Sequence, residues 1–416
     1  MRLTKVGWAA AIAALATAPL ALSACTNGPS VSSVWHHGKK LGTNGKPFSV
    51  QLTPAGGATN QPVTTEIGTA SNGGKITSVT MTDASGRAVP GTERPDGSSW
   101  VPGIQLTYHA TYHATVNATG PNGEKQSKTT TFTTMADPGS GNTITSTMYV
   151  QDGQTYGVGM PVAVQFDTAI PDSSKAAVEK RLFVQSDPPQ VGVWHWFGDD
   201  QVLFRPEKYW QTGTKITVRS ALGGLKVGDK YIDTDRTGAA TIGDKTVFQV
   251  DNSKHQMQVY QDDKLVKTFP VSLGESNTPT SSGNMVLMTH EYTSLFDVPG
   301  EYRVDVMYAE RFTWDGQYLH AAPWSEGDQG YTNVSHGCVN LSQTNAEWVY
   351  NNSKIGDPVS VSGTEVHITP GDGWTVWDMS WPDYIKGSAL PQQDLLNQAA
   401  AEAGSGHNSK TAPHVN

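Results

Sequence analysis

The chain has 416 residues, with 29 Lys and Arg against 38 Asp and Glu, which gives a formal net charge of −9. A net acidic chain has no general attraction for nucleic acid, so the composition argues against a nucleic-acid partner. With 43 Gly and 24 Pro beside ordinary apolar content, the sequence is typical of a turn-rich, mainly β protein, and its length allows several domains.

The N-terminus predicts an export signal over residues 1–24. Arg2 and Lys5 come before an apolar stretch that is too short and too rich in Ala to indicate a membrane span. The stretch ends in Leu22-Ser23-Ala24-Cys25, which resembles the lipobox of bacterial lipoproteins. That resemblance implies a lipid on Cys25, a position on the extracytoplasmic face of the cell membrane, and a flexible tether over residues 25–46. The alternative is an ordinary secretory signal that ends beside a chance cysteine.

Two β-sandwich domains are predicted next, over residues 47–137 and 138–237. Stretches of alternating residues, such as Leu106–Val116, are separated by Gly-rich turn signals. One helical turn is expected at Ser173–Glu179. The aromatic run Trp194-His195-Trp196-Phe197 is typical of a sandwich core, with a sugar-binding surface as the functional alternative.

A third domain is predicted over residues 238–363. Val247–Val250 and Gln256–Tyr260 alternate as strands and are joined by a turn signal, so they are expected to form a hairpin. Thr344 and Glu347 have the spacing of a capping box, which predicts a short helix that begins there.

The end of the chain divides at about residue 392. Residues 364–391 include Trp374, Trp377 and Trp381 and are assigned to a C-terminal subdomain. Residues 392–416 are mostly small and polar, which predicts a disordered tail. The Trp-rich stretch is therefore the last part of the chain expected to fold.

The two cysteines, Cys25 and Cys338, are too few for a disulfide framework. If Cys25 carries lipid, Cys338 is an unpaired thiol in an exported protein, and such a thiol is either buried and inert or retained for chemistry. Two candidate bases lie near Cys338 in the sequence. His320 precedes it by 18 positions, far enough for the chain to fold back, and His336 would share its face in an extended segment. Gly337 between them would let the backbone approach a substrate.

The residues around Cys338 carry a more specific signal. Tyr318-Leu319-His320 and, further on, Ser335-His336-Gly337-Cys338-Val339-Asn340 closely resemble the L,D-transpeptidase signature, which is a His, a variable loop and Ser/Thr-His-Gly-Cys-x-Asn. Thr278-Pro279 and Gly283 resemble a Thr-Pro-x-Gly loop of the family, with two additional residues inside it. The order of lipobox, tether, β-domains and Trp-rich end is similar to that of mycobacterial-type members. The resemblance implies two immunoglobulin-like domains before a catalytic domain with a mixed β-sheet and a short helix.

The resemblance also implies roles for individual residues. Cys338 corresponds to the nucleophile and His320 to its proton acceptor and donor, oriented by the carbonyl of Ala321. His336 supports the site and is the second choice as base, and the N–H groups of Gly337 and Cys338 would form the oxyanion hole. Six residues are expected to line the substrate pocket, with plain packing as the alternative for each: Tyr302, Asp315, Gly316, Trp324, Ser335 and Asn340.

The reaction implied is a two-step acyl transfer between peptidoglycan stems. Cys338 would attack a tetrapeptide donor stem, release D-Ala and form a thioester, and the amine of an acceptor stem would then give a 3→3 cross-link. No metal or organic cofactor is implied, and carbapenem β-lactams are expected inhibitors. Two alternatives remain open from the sequence: an L,D-carboxypeptidase that resolves the same thioester with water, and a non-catalytic lipoprotein that binds the cell wall.

Overall fold

The computed structural model describes residues 48–391 apart from Pro95, Asp96, Pro299 and Glu301. The predicted signal, Cys25, the tether and the tail from residue 392 lie outside the described residues. Three β-rich domains follow one another along the described chain. None of the helices in this part of the chain is long and apolar enough to span a membrane.

The first domain is a sandwich of two sheets with strand orders β1-β3-β7-β6 and β2-β9-β8-β4-β5. Its strands are β1 (Val50–Thr53), β2 (Ala58–Gln61), β3 (Ile67–Ser71), β4 (Lys75–Asp83), β5 (Ala88–Val89), β6 (Gly91–Glu93), β7 (Ser99–Pro102), β8 (Thr111–Thr119) and β9 (Lys125–Thr134). Alternate residues of β8, including Ala114 and Val116, are buried in the core. The predicted strand Leu106–Val116 was wrong at its start, because His109 has a φ of 54°, a left-handed conformation that a strand does not accept.

The second domain is a sandwich of two four-stranded sheets, β11-β13-β16-β15 and β12-β20-β17-β14, beside a three-stranded sheet, β10-β19-β18. Its strands are β10 (Thr143–Ile144), β11 (Ser146–Met148), β12 (Thr155–Tyr156), β13 (Val162–Phe166), β14 (Leu182–Asp187), β15 (Gly192–Phe197), β16 (Gln201–Pro206), β17 (Lys215–Ser220), β18 (Lys226–Val227), β19 (Lys230–Ile232) and β20 (Arg236–Ile242). A 3₁₀ turn, Ser140–Asn142, lies before them, and helix α1 (Asp172–Glu179) confirms the predicted helical turn.

Two details of the second domain differ from or refine the prediction. Strand β20 pairs with β17 along its whole length, so the sandwich ends at Ile242 and the predicted boundary at residue 238 falls inside a strand. The aromatic residues of β15 are buried, as expected of a sandwich core. Burial of Trp194 and Trp196 contradicts the alternative of an exposed sugar-binding surface on this strand.

The third domain contains a five-stranded sheet, β23-β22-β21-β29-β24, and a four-stranded sheet, β25-β26-β27-β28. Its strands are β21 (Thr246–Asp251), β22 (Gln256–Gln261), β23 (Lys264–Pro270), β24 (Gly283–Val286), β25 (Glu291–Val298), β26 (Tyr302–Arg311), β27 (Tyr318–Ala321), β28 (Val339–Leu341) and β29 (Pro358–Ser362). The β21–β22 pair confirms the predicted hairpin. The helix α2 (Gln343–Asn352) begins after Ser342, whose hydroxyl accepts the Asn345 N–H, so the predicted start at Thr344 was wrong. Short 3₁₀ turns occupy Asn252–Lys254 and Pro323–Ser325.

The C-terminal segment, residues 364–391, contains the 3₁₀ turns Val376–Asp378 and Ile385–Gly387 and the short helix α3 (Trp381–Tyr384). Its buried side chains Trp374, Val376 and Tyr384 belong to the core of the second sandwich rather than to a core of their own. The Tyr384 hydroxyl donates to the Leu203 carbonyl (2.7 Å), and the Arg205 guanidinium lies 4.3 Å from the Tyr384 ring. The predicted subdomain is therefore a segment that joins the third domain to the second.

Removal of the Tyr384 side chain should loosen the second sandwich. We expect Tyr384→Ala to cost about 3–5 kcal/mol of stability, because a completely buried aromatic ring is lost. Hydrogen exchange should become faster in β15 and β16, with β8 and β9 of the first sandwich as the internal control. Unchanged exchange in β16 would show that the segment is not part of this core.

Candidate active site

The parallel strands β27 and β28 bring Cys338 and His320 to one face of a sheet. In their register His320 lies opposite Asn340. Cys338 immediately precedes β28, so the same register places it opposite Tyr318, and side chains two residues apart on a strand share a face. The alternate side chains are buried in the core of the domain: Leu319, Ala321, Val339 and Leu341.

His320 is held in the tautomer that a general base requires. Its Nδ1 lies 2.9 Å from the carbonyl oxygen of Ala321, and a carbonyl can only accept a hydrogen bond. Nδ1 therefore carries the proton and Nε2 offers a lone pair. Burial lowers the pKa of His320 to about 4, although the Ala321 carbonyl opposes this shift, so the imidazole is neutral near pH 7. Ala321 thus supplies the carbonyl expected of it.

The Cys338 thiol is half-buried and protonated at rest. Its Sγ lies 3.7 Å from the Gly316 carbonyl oxygen, to which it donates. Burial, aided by the negative charge of Asp315, raises the pKa of Cys338 to about 12, against a smaller opposing effect of the Tyr318 backbone. The resting pair is therefore a neutral thiol with a neutral imidazole, and the thiolate forms only as the proton moves to a base.

Ser335 fixes the backbone on either side of the thiol. Its buried hydroxyl donates to the Cys338 carbonyl (2.5 Å) and accepts the Gly337 N–H (3.2 Å). Two expectations change as a result. The hydroxyl of Ser335 is used inside the protein rather than offered to a substrate, and the Gly337 N–H is already bonded, which removes it from the expected oxyanion hole.

The loop that resembles the Thr-Pro-x-Gly pattern packs behind the same segment. Thr278 Oγ1 donates to the Ser335 carbonyl (3.2 Å), and Thr280 Oγ1 lies 3.5 Å from the Cys338 carbonyl. The loop, with its two additional residues, therefore contacts the backbone of the Ser335–Cys338 segment at both ends.

His336 is exposed, and Gly337 beside it has a φ of 115°. That conformation is not extended, so the expectation that His336 and Cys338 share a face by strand alternation does not apply. His320, buried on the same sheet face as the thiol, is better placed as the base. Among the residues that the structure describes, no group of three or more His, Cys, Asp and Glu side chains is arranged to hold a metal ion.

Asn340 and Trp324 belong to one structural unit. Asn340 is buried and its Nδ2 donates to Ser325 Oγ (3.1 Å), so this amide holds the turn Pro323–Ser325 instead of facing a substrate. Trp324 on that turn is 60% exposed, and its ring centroid lies 6.1 Å from that of His320. Trp324 therefore forms an open wall beside the imidazole.

Of the remaining predicted pocket residues, Asp315 and Gly316 lie near the thiol. Gly316 contacts Cys338 through its carbonyl, and Asp315 next to it is exposed. Tyr302 begins β26, but its side chain lies outside the described part of the chain. Sequence reasoning missed Phe296 on β25, whose ring is 5.2 Å from His320. No local pattern marks Phe296, because it reaches the site only when the β25–β26 hairpin folds back.

Comparison with known proteins gives two family matches. The profile of the L,D-transpeptidase catalytic domain matches residues 245–361, and that of a bacterial Ig domain matches residues 58–226. L,D-transpeptidase 2 of Mycobacterium tuberculosis is 32% identical over 370 residues, which cover 84% of this chain and 89% of that protein. L,D-transpeptidase 5 of the same species is 33% identical over 342 residues, which cover 79% of this chain and 74% of that protein.

Solved structures of similar proteins include two bound to β-lactams. An L,D-transpeptidase in complex with imipenem is 32% identical, with 52% of this chain and 97% of that chain covered and a TM-score of 0.44. L,D-transpeptidase 3 of Mycobacterium tuberculosis with a faropenem-derived adduct is 28% identical, with 54% and 100% covered and a TM-score of 0.43.

The resting thiol should behave as a weak acid. In a Cys25→Ala variant, where Cys338 is the sole thiol, we expect iodoacetamide alkylation to rise about tenfold per pH unit from pH 7 to 10, because the thiolate is the reactive form. Glutathione is the control, since its rate levels off above a pKa of ~8.5. A plateau of the Cys338 rate below pH 8 would mean that the thiolate is already formed at rest.

Proposed function

The chain belongs to the L,D-transpeptidase family and is an enzyme of that family, and we propose that it cross-links the peptide stems of peptidoglycan with Cys338 as nucleophile. The observation that supports this proposal is the β27–β28 register, in which Cys338 and the buried His320 belong to the same face of the sheet. The family match also argues against the alternative of a non-catalytic wall-binding protein.

The first half-reaction acylates the enzyme. Nε2 of His320 takes the thiol proton as Sγ attacks the carbonyl carbon on the L-centre side of the terminal D-Ala in a tetrapeptide stem. His320 then gives that proton to the departing amine, and D-Ala leaves as the thioester forms. Because both resting groups are neutral, His320 takes the thiol proton before or during the attack.

The second half-reaction transfers the acyl group. The side-chain amine of an acceptor stem attacks the thioester, His320 removes the proton of the amine, and the proton returns to the Cys338 sulfur. The product is a 3→3 cross-link, whereas attack by water would give the carboxypeptidase product.

Groups around the Cys338 thiol are suited to bind the substrate. The Cys338 N–H is our choice of oxyanion donor, since the Gly337 N–H is bonded to the Ser335 hydroxyl. Trp324, Asp315 and the Gly316 carbonyl are proposed to contact the stem peptide, and the His320 ring is proposed to be the base in place of His336.

Purified disaccharide-tetrapeptide tests both the reaction and these roles. We expect mass spectrometry to detect a cross-linked dimer that has lost one D-Ala. Cys338→Ala should abolish it, and His320→Ala should slow it by roughly 10²–10⁴-fold as expected for loss of a general base. His336→Ala is the matched control and should cost much less.

Two outcomes would change the proposal. Trimmed monomer without dimer would identify the enzyme as a carboxypeptidase. Full activity of His320→Ala with loss in His336→Ala would reverse the roles of the two histidines.

We further propose that carbapenem β-lactams acylate Cys338. We also propose that a lipid on Cys25 holds the enzyme at the outer face of the cell membrane, from which it projects into the cell wall. A thiol whose proton passes to a base can open a strained amide, which supports the first point, as do the relatives solved with imipenem and with a faropenem-derived adduct. The lipobox-like Leu22-Ser23-Ala24-Cys25 supports the second.

Anchoring can be tested in the native host by cell fractionation. Stable membrane attachment needs two or more acyl chains, so Cys25→Ala should move the protein from the membrane fraction to the soluble fraction. Two results together would contradict the anchor: membrane retention of the Cys25→Ala variant, and no lipid mass on the mature N-terminus of the wild-type protein.

A further inference from the structure

The loop Phe312–Gln317 between β26 and β27 supplies the hydrogen-bond acceptor of the Cys338 thiol. Gly316 accepts the thiol at 3.7 Å and has a φ of 102°, a conformation that favours glycine. The position of this one carbonyl therefore determines how the resting thiol is oriented and where its proton points.

Several bonds within the loop hold its shape. Arg311 Nε donates to the Thr313 carbonyl (2.8 Å), and its Nη2 donates to the Trp314 carbonyl. The Thr313 hydroxyl accepts the Gln317 N–H (2.9 Å) and donates to the Asp315 carboxylate. These contacts define the turn, and the buried Gln317 side chain attaches its far end to Ser281, whose N–H it accepts at 2.9 Å and to whose hydroxyl it donates at 3.1 Å.

The C-terminal segment attaches the middle of the loop, at Trp314 and Asp315. Oδ1 of Asp372 accepts the Asp315 N–H at 2.9 Å, and the Trp314 backbone also bonds to this carboxylate. Gly373 next to it approaches closely, since a Cβ there would lie 2.8 Å from the Phe312 carbonyl oxygen. One carboxylate thus holds two successive residues directly before Gly316.

We propose that Asp372 is a positioning residue for the nucleophile, which fixes the Gly316 carbonyl against the Cys338 thiol by holding the Asp315 N–H. This inference rests on the proposed role of Cys338. Asp372 bonds to the loop rather than to the thiol, so it acts on the thiol through the loop. The C-terminal segment thereby completes the active site as well as the core of the second sandwich.

The proposal predicts opposite changes in two rates. With the attachment lost, the thiol loses its acceptor and the negative charge of Asp315 is no longer held close, so the thiolate forms more easily. Simple alkylation should then become faster. Acylation should become slower, because the same loop no longer presents a fixed surface to the acylating molecule.

The experiment compares three full-length variants in the Cys25→Ala background by intact-protein mass spectrometry, with imipenem for acylation and iodoacetamide at pH 7 for alkylation. Asp372→Ala should acylate 10–100-fold more slowly and be alkylated at least threefold faster. Asp372→Asn keeps an oxygen for the Asp315 N–H and should stay within about threefold in both rates. Asp378→Ala is the matched control, because this carboxylate of the same segment accepts the Asn284 N–H (2.8 Å) away from the loop.

Thermal melting of each variant separates positioning from unfolding. If Asp372→Ala melts below the assay temperature, Gly373→Ala replaces it and should give the same opposite changes by pushing the segment from Phe312. Wild-type rates in the folded variant, equal effects of Asp378→Ala, or loss of activity in Asp372→Asn would each overturn the role of Asp372. If the parent protein formed no imipenem adduct, the proposed function would be in question, while the alkylation rates would still decide the role of Asp372.

Discussion

The parallel pairing of β27 with β28 is the constraint on which the rest of the site depends. Cys338 and His320 are 18 positions apart in sequence and meet because these two strands, of four and three residues, pair in one register. The apolar side chains on their other face fix that register, since a shift by one residue would turn His320 into the core and expose Leu319. The packing of the apolar side chains on one face of these strands therefore determines which side chains lie on the other face, where Cys338 and His320 are.

Several polar groups near the thiol are used in hydrogen bonds within the protein. The Ser335 hydroxyl is bonded to the segment that contains Cys338. The Asn340 amide is bonded to the turn that contains Trp324, and the Ala321 carbonyl is bonded to the His320 ring. Each of these groups is buried and hydrogen-bonded, as buried polar groups must be to avoid a desolvation penalty. The site thus has few side chains free to react, surrounded by many that keep them in place.

The sequence predicted the parts of this arrangement that are encoded locally. The Ser-His-Gly-Cys-x-Asn motif identified the thiol, and the turn between β21 and β22 identified the hairpin. Features that depend on distant partners were not predicted. The strand β20 belongs to the second sandwich because it pairs with β17. Tyr384 is a core residue because it packs against Leu203 and Arg205, which are distant in sequence. Phe296 reaches His320 only through the fold of a hairpin.

Local signals also failed where two competed within a few residues. Ser342 and Thr344 are both suitable caps, and the hydroxyl that meets a free N–H at the start of α2 belongs to Ser342. In the motif itself, the sequence could not reveal that the Ser335 hydroxyl takes the Gly337 N–H, because this depends on the positive φ of Gly337.

The protonated resting state of Cys338 has a consequence for the lifetime of the protein. Oxidation by peroxides and exchange with disulfides both consume the thiolate, and a thiol with a pKa of about 12 contains very little of it near neutral pH. The sulfur is thus protected by its protonation, without a disulfide. An unpaired cysteine can then persist in an oxidising environment and become reactive only when its proton passes to a base.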